Sequence, residues 1–260
     1  MKSIFTYEQE KLADIILENN NVSPLSELYS SEIKNLAVYW SFYSGKIEGN
    51  TYSLVETETL LKDDITSPKR YEDAKMLKNL YNVFIAELQK IKGGEKEEIN
   101  KKFLLDAHFN LSDGLVDSWE RGLIRKRAVR IMGTDYVPPQ SPLVIEDKLN
   151  EIMEEQANIS NPLEKAIYLH CNLAKLQPFI DCNKRTARFM ESVALMNEDI
   201  IPVFSTNIVE INNYRTGVLH FYETGDYSAY VDYFLENKIN YLQKNTDKDL
   251  LKENRKGKKM

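Results

Sequence analysis

The chain has 260 residues, 42% hydrophobic and 28% charged, which excludes a disordered chain and is long enough to bury a core without disulfide or metal staples. Only 10 Gly and 8 Pro exclude collagen-like and Pro-rich architectures, and 34 basic against 40 acidic residues, a formal charge of −6, make a poor nucleic-acid binder. Cys171 and Cys182 frame neither a disulfide scaffold nor a zinc site, no run approaches the ~18 apolar residues of a membrane span, and the early acidic residues oppose a signal peptide.

The expectation is therefore a cytoplasmic protein with no membrane and no nucleic acid among its partners. Ser31 precedes Ile33, Leu36, Trp40, Tyr43 and Ile47, spaced by three or four, which predicts a helix with one apolar face, stopped at Gly49-Asn50. Helices are predicted over 71–91, ended by Gly93-Gly94, and over 101–115, with His108 inside. Arg127-Ala128-Val129-Arg130-Ile131 then alternates polar and apolar. Met132-Gly133-Thr134-Asp135 can turn, and Tyr136-Val137 precedes Pro138-Pro139, which predicts a short β-hairpin over 127–139. Helical spacing resumes over 144–156, 162–176, 183–197, 208–222 and 228–242. The tail 243–260 reads as a solvated, frayed basic end. The whole is expected to be one all-α domain, 1–260, a compact helical bundle with one hairpin.

Chemistry concentrates in Leu176-Gln177-Pro178-Phe179-Ile180-Asp181-Cys182-Asn183-Lys184-Arg185-Thr186-Ala187-Arg188. Pro178 favours ending one helix. The next begins near Asn183, where unpaired N–H groups and the positive helix end make an anion site. Arg185 and Arg188, at i and i+3, share a face and with Lys184 place three cations there. Asp181 supplies oxygen for a hard cation such as Mg²⁺. These residues suit a Mg-polyphosphate. The plainer alternative is an ordinary helix start, capped by Asp181 or Asn183, with solvated arginines.

The stretch resembles the Fic motif, HPFx(D/E)GNGRxxR. Pro178, Phe179, Asp181, Asn183, Arg185 and Arg188 match. Upstream, Ser44-Gly45-Lys46-Ile47-Glu48-Gly49 resembles the family's inhibitory motif, (S/T)xxxE(G/N), in an inhibitory helix over 30–50. The 127–139 hairpin resembles its target-docking flap, with Ile131, Met132, Gly133, Thr134, Asp135 and Tyr136 as docking residues. The motif helices and loop span 162–197. The resemblance implies ATP and Mg as cofactors, with Asp181 on the metal. It places the loop (Cys182, Asn183, Lys184) on the inner phosphates, Arg185 on the outer ones, and Arg188 on the γ-phosphate or on Glu48. It implies AMP transfer to a hydroxyl of an unknown protein target, and leaves a homodimer open.

Three positions depart from the motif. Gln177 stands where the family has the general-base His, and an amide cannot hold a proton near neutral pH. His170 lies two helical turns earlier, roughly 10 Å away, too far to substitute. His108, His170 and His220 read as packed helix residues. Cys182 and Lys184 replace two glycines. A thiol at a helix N-terminus beside cations is expected to have a lowered pKa and to be redox-sensitive, against the plainer reading of an inert small residue. The run Asp181–Ala187 also resembles Doc-type kinase toxins, which keep the His and lack the second arginine. Three functions follow: a weak, autoinhibited nucleotidyltransferase, a catalytically inactive nucleotide-binding regulator, or a Doc-like kinase.

Overall fold

The computed structural model describes residues 3–20, 24–205 and 207–257, and all side chains among them except those of 208 and 245–257. The elements in chain order are α1 (Tyr7–Asn20), α2 (Ser30–Ile47), α3 (Leu54–Asp63), α4 (Tyr71–Lys92), α5 (Lys101–Leu111), α6 (Pro142–Ala157), α7 (Pro162–Leu176), α8 (Asn183–Met196), α9 (Ile208–Thr224) and α10 (Ser228–Gly257), with a short 3-10 turn at Leu25–Glu27. The expected all-α class holds.

The helix ends follow local chemistry. Asn161 caps α7 by accepting from Leu163 and Glu164 N–H, with Pro162 in the first turn. At the end of α2, Gly49 takes φ +82, and Gly49 and Asn50 N–H donate back to Lys46 and Gly45 carbonyls. Two helices escape the periodicity reading yet carry capping boxes: Thr6 with Gln9 before α1, and Ser53 with Glu56 before α3.

Helix α8 lies at the centre. Twelve of its fourteen residues are buried, so it has no solvent face, and α7 packs along it more extensively than any other pair of elements. Trp40 of α2 stacks on Phe84 of α4 at 4.6 Å and meets Phe189 of α8 edge-on at 6.0 Å. These contacts clamp α2 and α4 onto α8 and set the end of α2 over its first turn.

The structure corrects several expectations. No strand forms among the described residues, so the hairpin at 127–139 is an extended segment with a turn at Met132-Gly133. A two-stranded ribbon of this length is marginal alone, and Pro138 and Pro139 have no N–H to pair. The segment finds partners elsewhere: Arg127 and Pro139 carbonyls accept from Arg125, Thr134 Oγ1 donates to Glu223, and Tyr136 stacks on Tyr222 of α9. Helix α5 stops at Leu111 because Ser112 caps it and Gly114 turns at φ +67. Helix α10 continues to Gly257 through most of the basic tail; the tail's side chains from 245 on and residues 258–260 lie outside the described residues.

Candidate active site

Helix α7 ends at Gln177, in the left-handed region at φ 50 and ψ 59. Its side chain turns back: Nε2 donates to Ala174 O at 2.7 Å, capping the helix. Its carbonyl accepts from Arg125 Nε at 2.7 Å. Phe179 is buried, with its ring stacked on His108 at 3.7 Å. Asn183 then closes the loop, with Oδ1 accepting from Phe179 N–H and Nδ2 donating to Phe179 O, both at 2.8 Å. The Asn183 amide is thus a brace within the loop. Asp181 Oδ1 accepts from Cys182 N–H at 2.6 Å and lies 3.1 Å from Arg185 Nη2, and the carboxylate side chain is 62% exposed.

His108 holds the same loop from α5. Gly122 N–H donates to its Nδ1 at 2.9 Å, so the ring proton sits on Nε2, 3.2 Å from Asp181 O. Burial drives its pKa down to about 4. His170 is buried in α7 as expected, whereas His220 is partly exposed beside Asp226, because its face of α9 turns to solvent.

Cys182 sits at φ +61, where the motif has glycine, and precedes α8 as its N-cap. It is buried, and that burial pushes the thiol up to about 12, outweighing Arg185 beside it. The expected lowered pKa and redox sensitivity are therefore corrected: desolvation of a thiolate outweighs the helix end and the cation.

The cations of α8 divide. Arg185 is 4% exposed, and its Nε and Nη1 have no partner among the described residues. Arg188 is 2% exposed and fully used. Nε donates to Ser44 Oγ (2.8 Å), Nη1 to Tyr214 Oη (3.0 Å), and Nη2 to Ser44 O (3.2 Å) and Glu48 Oε1 (2.7 Å). Lys184 Nζ stands 3.6 Å from the other Glu48 oxygen. Burial pushes the Glu48 pKa up, but Arg188, Lys184 and Arg185 outweigh it and hold it down at about 2.

Beside these charges a cavity of about 530 Å³ opens between the end of α2, helix α9 and the extended segment. Ile47, Val218, Leu219, Tyr222, Ile131, Met132 and Gly133 line its apolar side, and Glu48, Gly49, Lys184 and Arg215 its polar side. Thr134 and Tyr136 instead face α9.

Residues 98–195 match the model of the Fic/DOC family. The protein adenylyltransferase fic-1 of Caenorhabditis elegans is 27% identical over 212 residues, covering 78% of this chain and 40% of the relative. The protein adenylyltransferase Fic of Drosophila willistoni is 29% identical over 212 residues, covering 76% and 40%. The chain is similar to the Fic/DOC family over residues 98–195. It spans about two fifths of the length of these curated relatives. Among solved structures, a Fic family protein from Desulfovibrio desulfuricans G20 superposes with TM-score 0.79 at 19% identity, covering 94% of this chain and 76% of that one. A Fic domain containing signaling protein from Bacteroides thetaiotaomicron gives 0.71 at 17% identity, covering 89% and 95%. At such identities the likeness concerns the fold.

The Fic motif named Gln177, Asp181, Cys182, Asn183, Lys184, Arg185 and Arg188, and the structure brings all seven around one helix start, with Ser44, Glu48 and Gly49 facing them. Sequence reasoning missed Arg125, Tyr214 and Arg215, and missed that His108 grips the Asp181 carbonyl. For Tyr214 a weak signal existed, a hydroxyl on the apolar face of a helix. For Arg125 there was none.

Proposed function

We propose that this chain binds Mg-ATP in the cavity between α2, α9 and the extended segment, and transfers AMP to a protein hydroxyl, restrained by Glu48 and slowed by Gln177. The observation that carries the reading is Arg185: a buried guanidinium with two unpartnered donor nitrogens, Nε and Nη1, beside the unpaired amides that open a helix. Such a group is costly without an anion, and a triphosphate supplies one. The curated relatives are named as adenylyltransferases, which supports the same chemistry.

Magnesium fits the donor set. Asp181 Oδ1 is engaged, while Oδ2 of this exposed carboxylate has no partner among the described residues, and one carboxylate plus phosphate oxygens is the usual arrangement for this ion. Bound there, it would neutralise phosphate charge. The apolar side of the cavity suits the base and ribose, with α8 and Arg185 on the phosphates. Ile131 to Tyr136 would register the target segment beside them. Attack of the hydroxyl on the α-phosphorus forms an O–P bond and expels pyrophosphate, and the hydroxyl proton needs an acceptor. Gln177 offers none, and its amide is turned towards Ala174. Loss of a general base slows such steps by roughly 10²–10⁴-fold. That same turned-back amide favours a second reading, a nucleotide-binding regulator without transferase activity.

The test is intact-protein mass after incubation with Mg-ATP. The native chain and each single variant, Gln177→His and Glu48→Gly, should gain little, and the double variant should gain AMP. A phosphate adduct would mark a Doc-like kinase. A double variant that binds ATP by calorimetry yet gains no adduct would mark the regulator.

A further inference from the structure

Arg188 has four acceptors, and three belong to α2 and its C-terminal cap: Ser44 Oγ, Ser44 O and Glu48 Oε1. The fourth, Tyr214 Oη, comes from α9. Behind Tyr214 lies a buried polar line that the nucleotide reading leaves unused. A guanidinium only donates, so Tyr214 Oη accepts from Nη1. The tyrosine's own proton then has His170 Nε2, 3.1 Å away, as its acceptor. The imidazole proton is left on Nδ1, which approaches Glu191 Oε2 at 2.8 Å, in a bent geometry. The opposite tautomer would turn a lone pair on that carboxylate. Glu191 Oε2 also accepts from Tyr230 Oη at 2.6 Å, and the His170 ring stacks on Tyr230 at 4.8 Å. Tyr214, His170 and Tyr230 are each 0–1% exposed.

We propose that Glu191, His170 and Tyr214 form a line of positioning residues that holds the Arg188 guanidinium in place when Glu48 leaves it, so that the arginine meets a γ-phosphate already oriented. Tyr214 reaches the wall of the cavity, whereas Glu191 and His170 lie behind it and act through Arg188. Its direction is set by charge. The Glu191 carboxylate orders the imidazole proton, the imidazole orders the hydroxyl proton, and the hydroxyl lone pair faces Nη1. Glu48 can then rotate away without its partner following. The inference rests on the nucleotide reading above, specifically on Arg188 as a γ-phosphate ligand.

Calorimetry of the full chain in a Glu48→Gly background, with Mg-ATP and separately with Mg-ADP, tests it. The parent should prefer ATP. Tyr214→Phe should lose about tenfold of that preference while ADP affinity stays that of the parent. His170→Leu should behave likewise, and His170→Gln, whose amide oxygen accepts the tyrosine proton, should keep the preference. Thermal melts accompany each variant, and His170→Leu, which does not touch Arg188, supplies the second arm should Tyr214→Phe fail to fold. An unchanged ATP-to-ADP ratio in the folded variants overturns the proposal and leaves nucleotide binding intact. Equal loss for both nucleotides also overturns it, being the mark of general damage. A Glu48→Gly parent with no ATP preference overturns the assignment of Arg188 itself, and the proposal with it.

Discussion

At His108 a single ring links two loops, accepting from Gly122 N–H and facing Asp181 O. It is held neutral because burial outweighs the carbonyl's pull on the proton, so its pKa falls from 6.5 to about 4. The unfolded chain therefore takes up a proton below about 6.5 that the folded chain refuses until about 4. The stability this group contributes is present above pH 6.5 and is lost as pH falls towards 4, by about 3 kcal/mol in full. Urea denaturation at pH 7 and at pH 4.5 should show the fall, and His108→Gln should flatten it; identical pH slopes for the two proteins would refute the assignment. Cys182 shows the same competition with the opposite outcome for function. Its position at the start of a helix invites a thiolate, and its burial forbids one.

Among the elements, the extended segment depends most on one side chain. Arg125 is 3% exposed, and its guanidinium donates to the carbonyls of Gln177, Arg127 and Pro139. Its own N–H donates to Pro178 O at 3.0 Å. One fork thus ties the motif loop to both ends of the segment, which replaces the strand pairing that its alternating sequence predicts. Arg125→Ala should leave three carbonyls short of a donor and lower stability by about 2–4 kcal/mol, read by chemical denaturation. Arg125→Lys should recover little, because a point charge cannot span three directions. A change within measurement error for Arg125→Ala would show that the segment is held by α9 alone.

For the whole molecule, the position of α8 matters most. A helix buried on nearly every side presents only its N-terminal turn to a ligand, so occupancy of that turn is coupled to the stability of the entire core. Mg-ADP at 100 times its dissociation constant should add about 3 kcal/mol, raising the melting temperature by roughly 5–10 °C for a chain of this size. Arg185→Ala should abolish the rise, since it removes the buried cation whose N–H groups await the anion. A rise of the same size in Arg185→Ala would place the nucleotide elsewhere.

The sequence by itself determined that the chain is helical, where most of its helices lie, and which thirteen-residue stretch carries the chemistry. These follow from local rules: apolar spacing, caps, and the types of residue that gather anions at a helix start. Helices α1 and α3 escaped that reading, since their signal is the Thr6–Gln9 and Ser53–Glu56 boxes and not apolar spacing. Tertiary structure decided the rest. The extended segment's lack of strands, the neutral His108, the inert Cys182, the grip of Arg125 and the line from Glu191 to Arg188 all join residues far apart in the chain. Their energies come from burial, which sets the cost of a charge or an unpaired donor, and spacing along a sequence carries no measure of it.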